Sequence, residues 1–240
     1  MMPRLGYIPD APDSRDHGLA KLGLSSAVPA SASLRQYVVE VLDQGDTSKC
    51  VAHSFAQGLR IADRIAGVAA PQLSARDFLY FNSLAYDGGG FVDQGTQLRS
   101  CAKGLGKFGR PPESACPFKH DPLVARPSWE AYKEGYDHKG PSAYLRVTGL
   151  TEIKQAIAAG KPVVGGASVG NSIFGVLAGD IYDPSANEPS VGGHALTVVG
   201  YDAQSFTLCN SWGTSYADGG FLRVSPRFMA TFTDLWAIHL

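Results

Sequence analysis

The sequence predicts an α+β protein in which a mainly helical lobe precedes a mainly antiparallel β lobe. In the first half of the chain, apolar residues recur at the spacing of amphipathic helices. After Pro162 the pattern changes to short runs of β-type residues separated by glycine, aspartate and serine turns. A chain of 240 residues, 44% of them hydrophobic, can bury one large core or two smaller ones. Helices and antiparallel strands that are segregated along the chain are typical of the α+β class.

Four helices are predicted from apolar spacing and from residues that favour helix ends. They run from Cys50 to just before Gly67, from Ser74 to about Tyr86, from Thr96 through Leu105, and from Thr151 to just before Gly160. The hydroxyls of Thr47 and Ser48 are expected to cap the first helix. The second helix is expected to open with an acidic variant of the capping box at residues 74–77.

Five strands are predicted in the second half of the chain, where β-type runs are bounded by turns. They cover residues 162–167, 194–201, 206–210, 221–224 and 235–239. The first 30 or so residues are rich in proline, aspartate, serine and alanine and show no period, so they predict an irregular extension. We therefore expect an N-terminal extension at 1–33, a mainly helical lobe at 34–145 and a mainly β lobe at 146–240.

Composition excludes several classes of function. The chain has 21 basic and 22 acidic residues, so it lacks the positive charge that nucleic-acid binding needs. No run of 18 apolar residues occurs, so no membrane span is expected. The N-terminus lacks the apolar core of a signal peptide. We therefore expect a cytoplasmic protein, or one exported without a classical signal peptide, and a monomer.

The four cysteines do not form a metal-binding pattern. No C-x-x-C pair is present, so no structural zinc site, and no metal or cofactor of any kind, is expected. Cys101 and Cys116 could form a disulfide in an oxidising compartment, but two buried thiols are favoured for a reducing one. Cys209 is expected to be a buried, inert thiol, because strand alternation turns it away from its neighbour Asn210.

Residues with catalytic chemistry lie in three segments, 43–52, 192–196 and 209–213. Cys50 is placed at the first turn of a predicted helix, where free N–H groups and the helix dipole favour a thiolate. Gln44 and the backbone N–H of Cys50 can donate to an oxyanion. His194 can act as the base, and the Asn210 side-chain oxygen can fix its tautomer. Trp212 could shield that hydrogen bond from water.

From about Leu34 onward, the chain resembles the papain-like cysteine peptidases. The resemblance rests on Asn210-Ser211-Trp212-Gly213 followed by Gly219-Gly220-Phe221, on His194-Ala195 followed by Gly200-Tyr201, and on Gln44-Gly45 with Cys50 at the family's spacing. It implies a helical left lobe, an antiparallel β right lobe and an active site in the cleft between them.

The resemblance also implies a role for each matching residue. Cys50 is similar to the family's nucleophile, His194 to its acid/base, Asn210 to its orienting residue and Gln44 to its oxyanion donor. Trp212 matches the indole that covers the histidine–asparagine bond. Gly95, in Asp93-Gln94-Gly95, matches the segment that pairs with the substrate backbone. Gly193 and Ala195 border the main specificity pocket of the family, and their small size suggests room for an apolar side chain.

Three positions depart from the family pattern. Thr47 stands where most members carry a second cysteine, so the matching disulfide is absent. Lys49 replaces a small residue and Val51 replaces a tryptophan. The Asp-Gln-Gly sequence before the nucleophile is more similar to the bacterial branch.

The resemblance implies a cysteine endopeptidase that cleaves peptides or proteins through an acyl-enzyme on Cys50. The same thiolate chemistry is compatible with an acyltransferase, a ligase or a deamidase that acts on a partner protein. A non-catalytic binding module is disfavoured, because every reactive group is present. The extension before about Ser33 is expected to pack on the body as a strap and partly limit access to the cleft.

Overall fold

The structure, a computed structural model, describes residues 3–25, 27–121, 124–138 and 143–240. Six α-helices are present in this part of the chain: α1 Cys50–Ile65, α2 Arg76–Tyr86, α3 Leu98–Phe108, α4 Trp129–Asp137, α5 Gly149–Ala158 and α6 Pro226–Met229. The strands are β1 Tyr7–Ile8, β2 Ala32–Ser33, β3 Thr96–Gln97, β4 Ala143–Arg146, β5 Val163–Gly170, β6 Ile181–Tyr182, β7 Ser190–Tyr201, β8 Phe206–Cys209, β9 Phe221–Val224 and β10 Asp234–His239.

Eight of these strands form one sheet in the order β4-β10-β5-β7-β8-β9-β6, with β2 paired to β7. Its pairings are antiparallel except for the parallel contact of β6 with β9. A separate two-stranded sheet joins β1 to β3 in parallel. The predicted α+β class is therefore confirmed, with helices mainly in the first half and the large sheet mainly in the second.

The central strands of the large sheet separate two apolar cores. Along β7, Ala195 faces the core formed with α1, α2 and α3, whereas Leu196 faces the core of the β lobe. Val163 and Val164 on β5 alternate in the same way. Because successive strand side chains point to opposite faces, a strand buried on both sides reads as a continuous apolar run. This is the pattern that the sequence shows after Pro162.

The helix that begins at Cys50 lies between these layers. It packs against the sheet on one side and against α2 and α3 on the other, and most of its side chains are buried. Phe55 and Leu59 are fully buried in the core that also contains Phe78 and Leu98. Burial of such a helix on nearly all sides fixes its N-terminus, and with it Cys50, against the sheet.

The expected caps do not form. No side chain caps α1, and the Thr47 hydroxyl instead donates to the Gln44 carbonyl oxygen at 2.8 Å. Helix α2 starts at Arg76 rather than Ser74, and the Arg76 N–H donates to the Glu113 carboxylate at 3.1 Å. The free N–H at the start of this helix is thus satisfied by a tertiary partner, and no local side chain caps it.

The predicted elements are present with shifted ends, and several short elements were not predicted. Helix α3 begins after Thr96, because Thr96 and Gln97 pair with β1 as β3. Helix α4 was missed because it exposes Trp129 and Tyr136, so its sequence lacks a clear apolar face. Strand β4 was also missed. No helix within the described ranges is long and apolar enough to cross a bilayer.

Candidate active site

Cys50 is the first residue of α1, and its side chain is fully buried beside β7. The backbone N–H groups of Ala195 and Gly6 hydrogen-bond to its thiol. Ala195 follows His194 on β7, so the thiol lies next to the strand that carries the histidine. The helix N-terminus therefore meets the centre of the sheet at the predicted nucleophile.

His194 and Asn210 are hydrogen-bonded to each other, as the sequence predicts. The distance from His194 Nε2 to Asn210 Oδ1 is 2.8 Å, and Oδ1 also accepts the Ser211 N–H at 2.8 Å. Because Oδ1 is an acceptor, Nε2 must carry the imidazole proton. Nδ1 of His194 has no hydrogen-bond partner among the described residues, so it is available to accept a proton.

Trp212 covers this pair. Its ring stacks on the His194 ring with a centroid distance of 4.6 Å and an interplanar angle of 21°. Phe174 also stacks on the indole, with the ring centroids 5.3 Å apart, and Tyr216 contacts the indole edge-on at 4.8 Å. Trp212 is only 6% exposed. Exclusion of water by these rings strengthens the histidine–asparagine hydrogen bond.

Gln44 is fixed on the loop before α1 by contacts with the residue after Asn210. Its backbone N–H donates to the Ser211 carbonyl at 2.9 Å, and its Oε1 accepts from the Ser211 hydroxyl at 2.7 Å. Its Nε2 therefore points away from Ser211 and donates to the carbonyls of Thr47 at 2.6 Å and Arg4 at 2.9 Å. The amide that was predicted as an oxyanion donor holds a carbonyl oxygen of the N-terminal segment.

Residues 4–8, which form the strap, lie across Gln44 and Cys50. The Gly6 carbonyl accepts the Thr96 N–H at 2.9 Å, next to Gly95. Gly95 has φ of 92°, and a Cβ on it would lie 2.3 Å from the Gly6 oxygen. A Cβ on Gly193 would lie 2.1 Å from the Tyr7 carbonyl oxygen. Two glycines that were predicted to contact substrate therefore allow a close approach of the strap backbone.

The Tyr7 side chain is 5% exposed and crosses the sheet next to Gly193 and Gly166. Its hydroxyl donates to Asp234 and lies 3.0 Å from the Thr233 hydroxyl. The space beside Gly193 thus accommodates an aromatic ring, as the small residues there suggest. The buried Asp234 carboxylate lies at the far end of this space, whereas the sequence suggested a purely apolar pocket.

With the strap in place, both reactive groups are neutral near pH 7. Burial raises the pKa of the Cys50 thiol to about 11, and the backbone N–H groups of Ala195 and Gly6 offset only part of that rise. Burial lowers the pKa of His194 to about 4, and its hydrogen bond to Asn210 acts in the opposite direction. The cause in each case is that low polarity disfavours the charged form. The predicted thiolate is therefore not the stable form in the covered cleft.

Sequence reasoning missed three residues that shape this site. Lys49 is fully buried, and its Nζ pairs with the Asp77 carboxylate at 2.8 Å. The Asp93 carboxylate accepts the Ser48 N–H. Tyr7 fills the space beside Gly193. For Lys49 the sequence did offer a signal, because lysine replaces a small residue directly before Cys50. Asp93 and Tyr7 contact segments that are distant in the sequence, so no local pattern predicts their roles.

Comparison with known proteins identifies the family. A model of the papain family of cysteine proteases matches residues 28–230. The chain belongs to this family. As a papain-family protease it is 27% identical over 220 residues to a peptidase C1-like protein of Acanthamoeba polyphaga mimivirus, which covers 82% of this chain and 69% of the viral protein. A cathepsin L-like proteinase of Fasciola hepatica is 25% identical over 226 residues, covering 90% of this chain and 66% of that protein.

Solved structures give the same result. Xylellain, a cysteine protease from Xylella fastidiosa, superposes on this papain-family protease with a TM-score of 0.88 and 28% identity, covering 98% of this chain and 95% of that chain. The papain-like α+β fold and the cysteine-type peptidase activity predicted from the sequence are thereby confirmed. The bacterial branch is only partly supported, because relatives also occur in a mimivirus and in Caenorhabditis elegans.

Proposed function

We propose that this papain-family protease hydrolyses peptide bonds in peptides or proteins through a Cys50–His194–Asn210 mechanism with Gln44 as an oxyanion donor. The observation that carries the proposal is the 2.8 Å bond from His194 Nε2 to Asn210 Oδ1. His194 Nδ1 then has no partner in the described part of the chain, and it lies on the strand that contacts the Cys50 thiol. An imidazole in this tautomer can accept a proton from the thiol and pass it on.

The proposed reaction has two steps. His194 Nδ1 takes the thiol proton, the sulfur of Cys50 attacks the carbonyl carbon, and the carbonyl oxygen becomes an oxyanion. The Cys50 N–H and Gln44 Nε2 donate to that oxyanion, and the imidazolium gives its proton to the leaving amine. A thioester remains, and water that is deprotonated by His194 then attacks it. The acid is released and the thiol is restored.

The strap supports this assignment of donors, because the Arg4 carbonyl accepts from Gln44 Nε2 at 2.9 Å. A substrate carbonyl can take the same position once the strap leaves. We propose accordingly that the extension at 1–33 limits access to a cleft between lobes at 34–145 and 146–240. Displacement of the strap would also hydrate Cys50 and His194, which favours their charged forms.

Replacement of Cys50 tests the reaction. We expect Cys50→Ala to abolish hydrolysis of a peptide library, and Gln44→Ala to lower kcat by about 10²–10³. Cys209→Ala is the matched control, because it removes another buried thiol that lies next to Asn210. Peptide hydrolysis that persists in Cys50→Ala would refute the mechanism.

The product distinguishes hydrolysis from the other reactions that a thiolate supports. Cleavage fragments in a mass spectrum indicate a peptidase. A mass shift on an intact partner protein would indicate an acyltransferase, ligase or deamidase instead. The family membership favours fragments.

A further inference from the structure

The segment that carries Gly95 has no covalent tie to the loop that carries Cys50. Thr47 stands where most family members have a cysteine, and all four cysteines of this chain are free. A peptide that pairs beside Gly95 must present its carbonyl to Cys50 with little error, because a misplacement of about 1 Å can cost on the order of 10² in rate. A noncovalent tie is therefore needed.

Asp93 bridges the two segments. Its two carboxylate oxygens both accept the Ser48 N–H at 3.0 Å, and the Tyr80 hydroxyl donates to Oδ1 at 2.9 Å. The Asp93 side chain is 1% exposed. A carboxylate this deeply buried is stable only when donors satisfy it, so these contacts fix its position.

Tyr80 extends the bridge to the glycine segment. Its fully buried hydroxyl accepts the Gly95 N–H at 2.9 Å. Hydrogen bonds thus run from Ser48, two residues before the nucleophile, through Asp93 and Tyr80 to Gly95. The next residue, Thr96, binds the Gly6 carbonyl of the strap. The two ends of the bridge are therefore the nucleophile loop and the edge where an extended chain pairs.

We propose that Asp93 is a positioning residue that sets the distance between the peptide-binding edge at Gly95 and Cys50. The proposal rests on the proposed function, since it assigns the bridge to substrate binding at that same site. The nearest cation, Arg4 Nη1, is 4.0 Å from Asp93 Oδ2 but belongs to the strap. It would leave with the strap, whereas Ser48 and Tyr80 belong to the body.

Kinetics of full-length variants test the positioning role. The variants are made in a Tyr7→Ala background, which removes the buried strap side chain. The kinetics then report on the peptide substrate and not on a change in how tightly the strap binds. In that background we expect Asp93→Asn to lower kcat/KM for a peptide by about tenfold or more. The rate of Cys50 alkylation by iodoacetamide, which does not use the peptide-binding edge, should stay within about twofold of the background.

Asp202→Asn is the matched control. The Asp202 carboxylate also accepts two backbone N–H groups, of Gln204 and Ser205 at 2.8 and 2.7 Å, but on a distant hairpin. It should leave kcat/KM unchanged. An Asp93→Asn variant with unchanged kcat/KM would overturn the proposal, and so would an equal fall in Asp202→Asn.

Hydrogen exchange tests the bridge without requiring activity. Tyr80→Phe keeps the ring and should accelerate exchange of the Gly95 amide by about tenfold, while the Ser48 amide stays protected by Asp93. Asp93→Asn should accelerate both amides. Unchanged exchange at both would overturn the proposal. These rates are also measurable in a chain that cleaves no peptide, so failure of the proposed function is recognised separately.

Discussion

His53 and His194 are both fully buried, but their contacts differ. His53 Nδ1 donates to the Lys49 carbonyl at 2.9 Å, and its Nε2 accepts from Arg76 at 3.2 Å. A proton on Nε2 would face that guanidinium. His53 is therefore a structural histidine that stays neutral, whereas His194 Nδ1 has no hydrogen-bond partner among the residues that the structure describes.

These two imidazoles predict acid sensitivity. Burial lowers the pKa of His53 to about 3 and that of His194 to about 4, both from 6.5. Between pH 6.5 and 4 the unfolded chain binds protons that the folded chain does not. The free energy of unfolding should therefore fall as pH falls through this window, by up to about 1.4 kcal/mol per pH unit for each histidine.

Urea unfolding at several pH values between 6.5 and 4.5 measures this slope. His53→Gln should reduce the pH dependence by about half, because one of the two histidines is removed. The exposed Val39, which carries no titratable group, provides the control as Val39→Ala, which should leave the slope unchanged. An undiminished slope in His53→Gln would show that this histidine is not the source.

At the scale of elements, the start of α1 is joined to the start of α2 by a buried ion pair. Lys49 Nζ contacts Asp77 at 2.8 Å and the Lys119 carbonyl at 3.2 Å, and it lies 5.1 Å from the Phe118 ring centroid. A cation before a helix N-terminus opposes the helix dipole. Asp77 in the first turn of α2 compensates it. The pair therefore fixes α2 beside the nucleophile loop.

The two partners should contribute unequally when each is removed. Asp77→Ala leaves a fully buried ammonium group unpaired and should cost about 3–5 kcal/mol of unfolding free energy. Lys49→Met should cost less, because the Asp77 side chain is 16% exposed and can be hydrated. The double variant Lys49→Met/Asp77→Ala, measured by urea unfolding, should lose less than the sum of the single variants. Strict additivity would mean that the pair is not coupled.

At the scale of the molecule, the N-terminal segment contacts both the large sheet and helix α3. Arg146 pairs with Asp234 at 2.7 Å and with Asp10 at 3.5 Å, and Arg99 pairs with Asp16 at 2.6 Å. The extension is thus anchored on β4, β10 and α3 around the strap. The outer contacts of this segment are ion pairs, and its central contact is the buried ring of Tyr7. Together these contacts hold the strap over Cys50.

Loosening the strap should expose the thiol. Tyr7→Ala removes a buried ring and its hydrogen bond to Asp234, and we expect it to accelerate iodoacetamide labelling of Cys50 by about tenfold or more. Ile8→Ala is the control, because Ile8 lies on the same strap but is 38% exposed. Labelling is followed by peptide mass mapping of the four cysteines. Equal rates in both variants would show that the strap does not limit access.

Local patterns in the sequence determine much of this protein. The helices that bury one or more faces, such as α1, and the β-rich second half follow from apolar spacing, since burial imposes that period on the sequence. The residues Gln44, Cys50, His194 and Asn210 are recognisable from their motifs, and the segments that carry them contact one another. Short motifs retain this information because each of these residues lies at a helix end, on a strand or in a loop directly beside one.

Only the tertiary structure decided how distant segments meet. The predicted α2 capping box is absent, and the Arg76 N–H at the start of that helix is satisfied by Glu113, 37 residues away. The strap covers Cys50, and Asp93 reaches Ser48 across 45 residues. The sequence by itself thus determined the fold class and the candidate site residues, whereas folding decided the ionisation and accessibility of those residues. The physical reason is that desolvation depends on what packs over a group, and no local pattern carries that information.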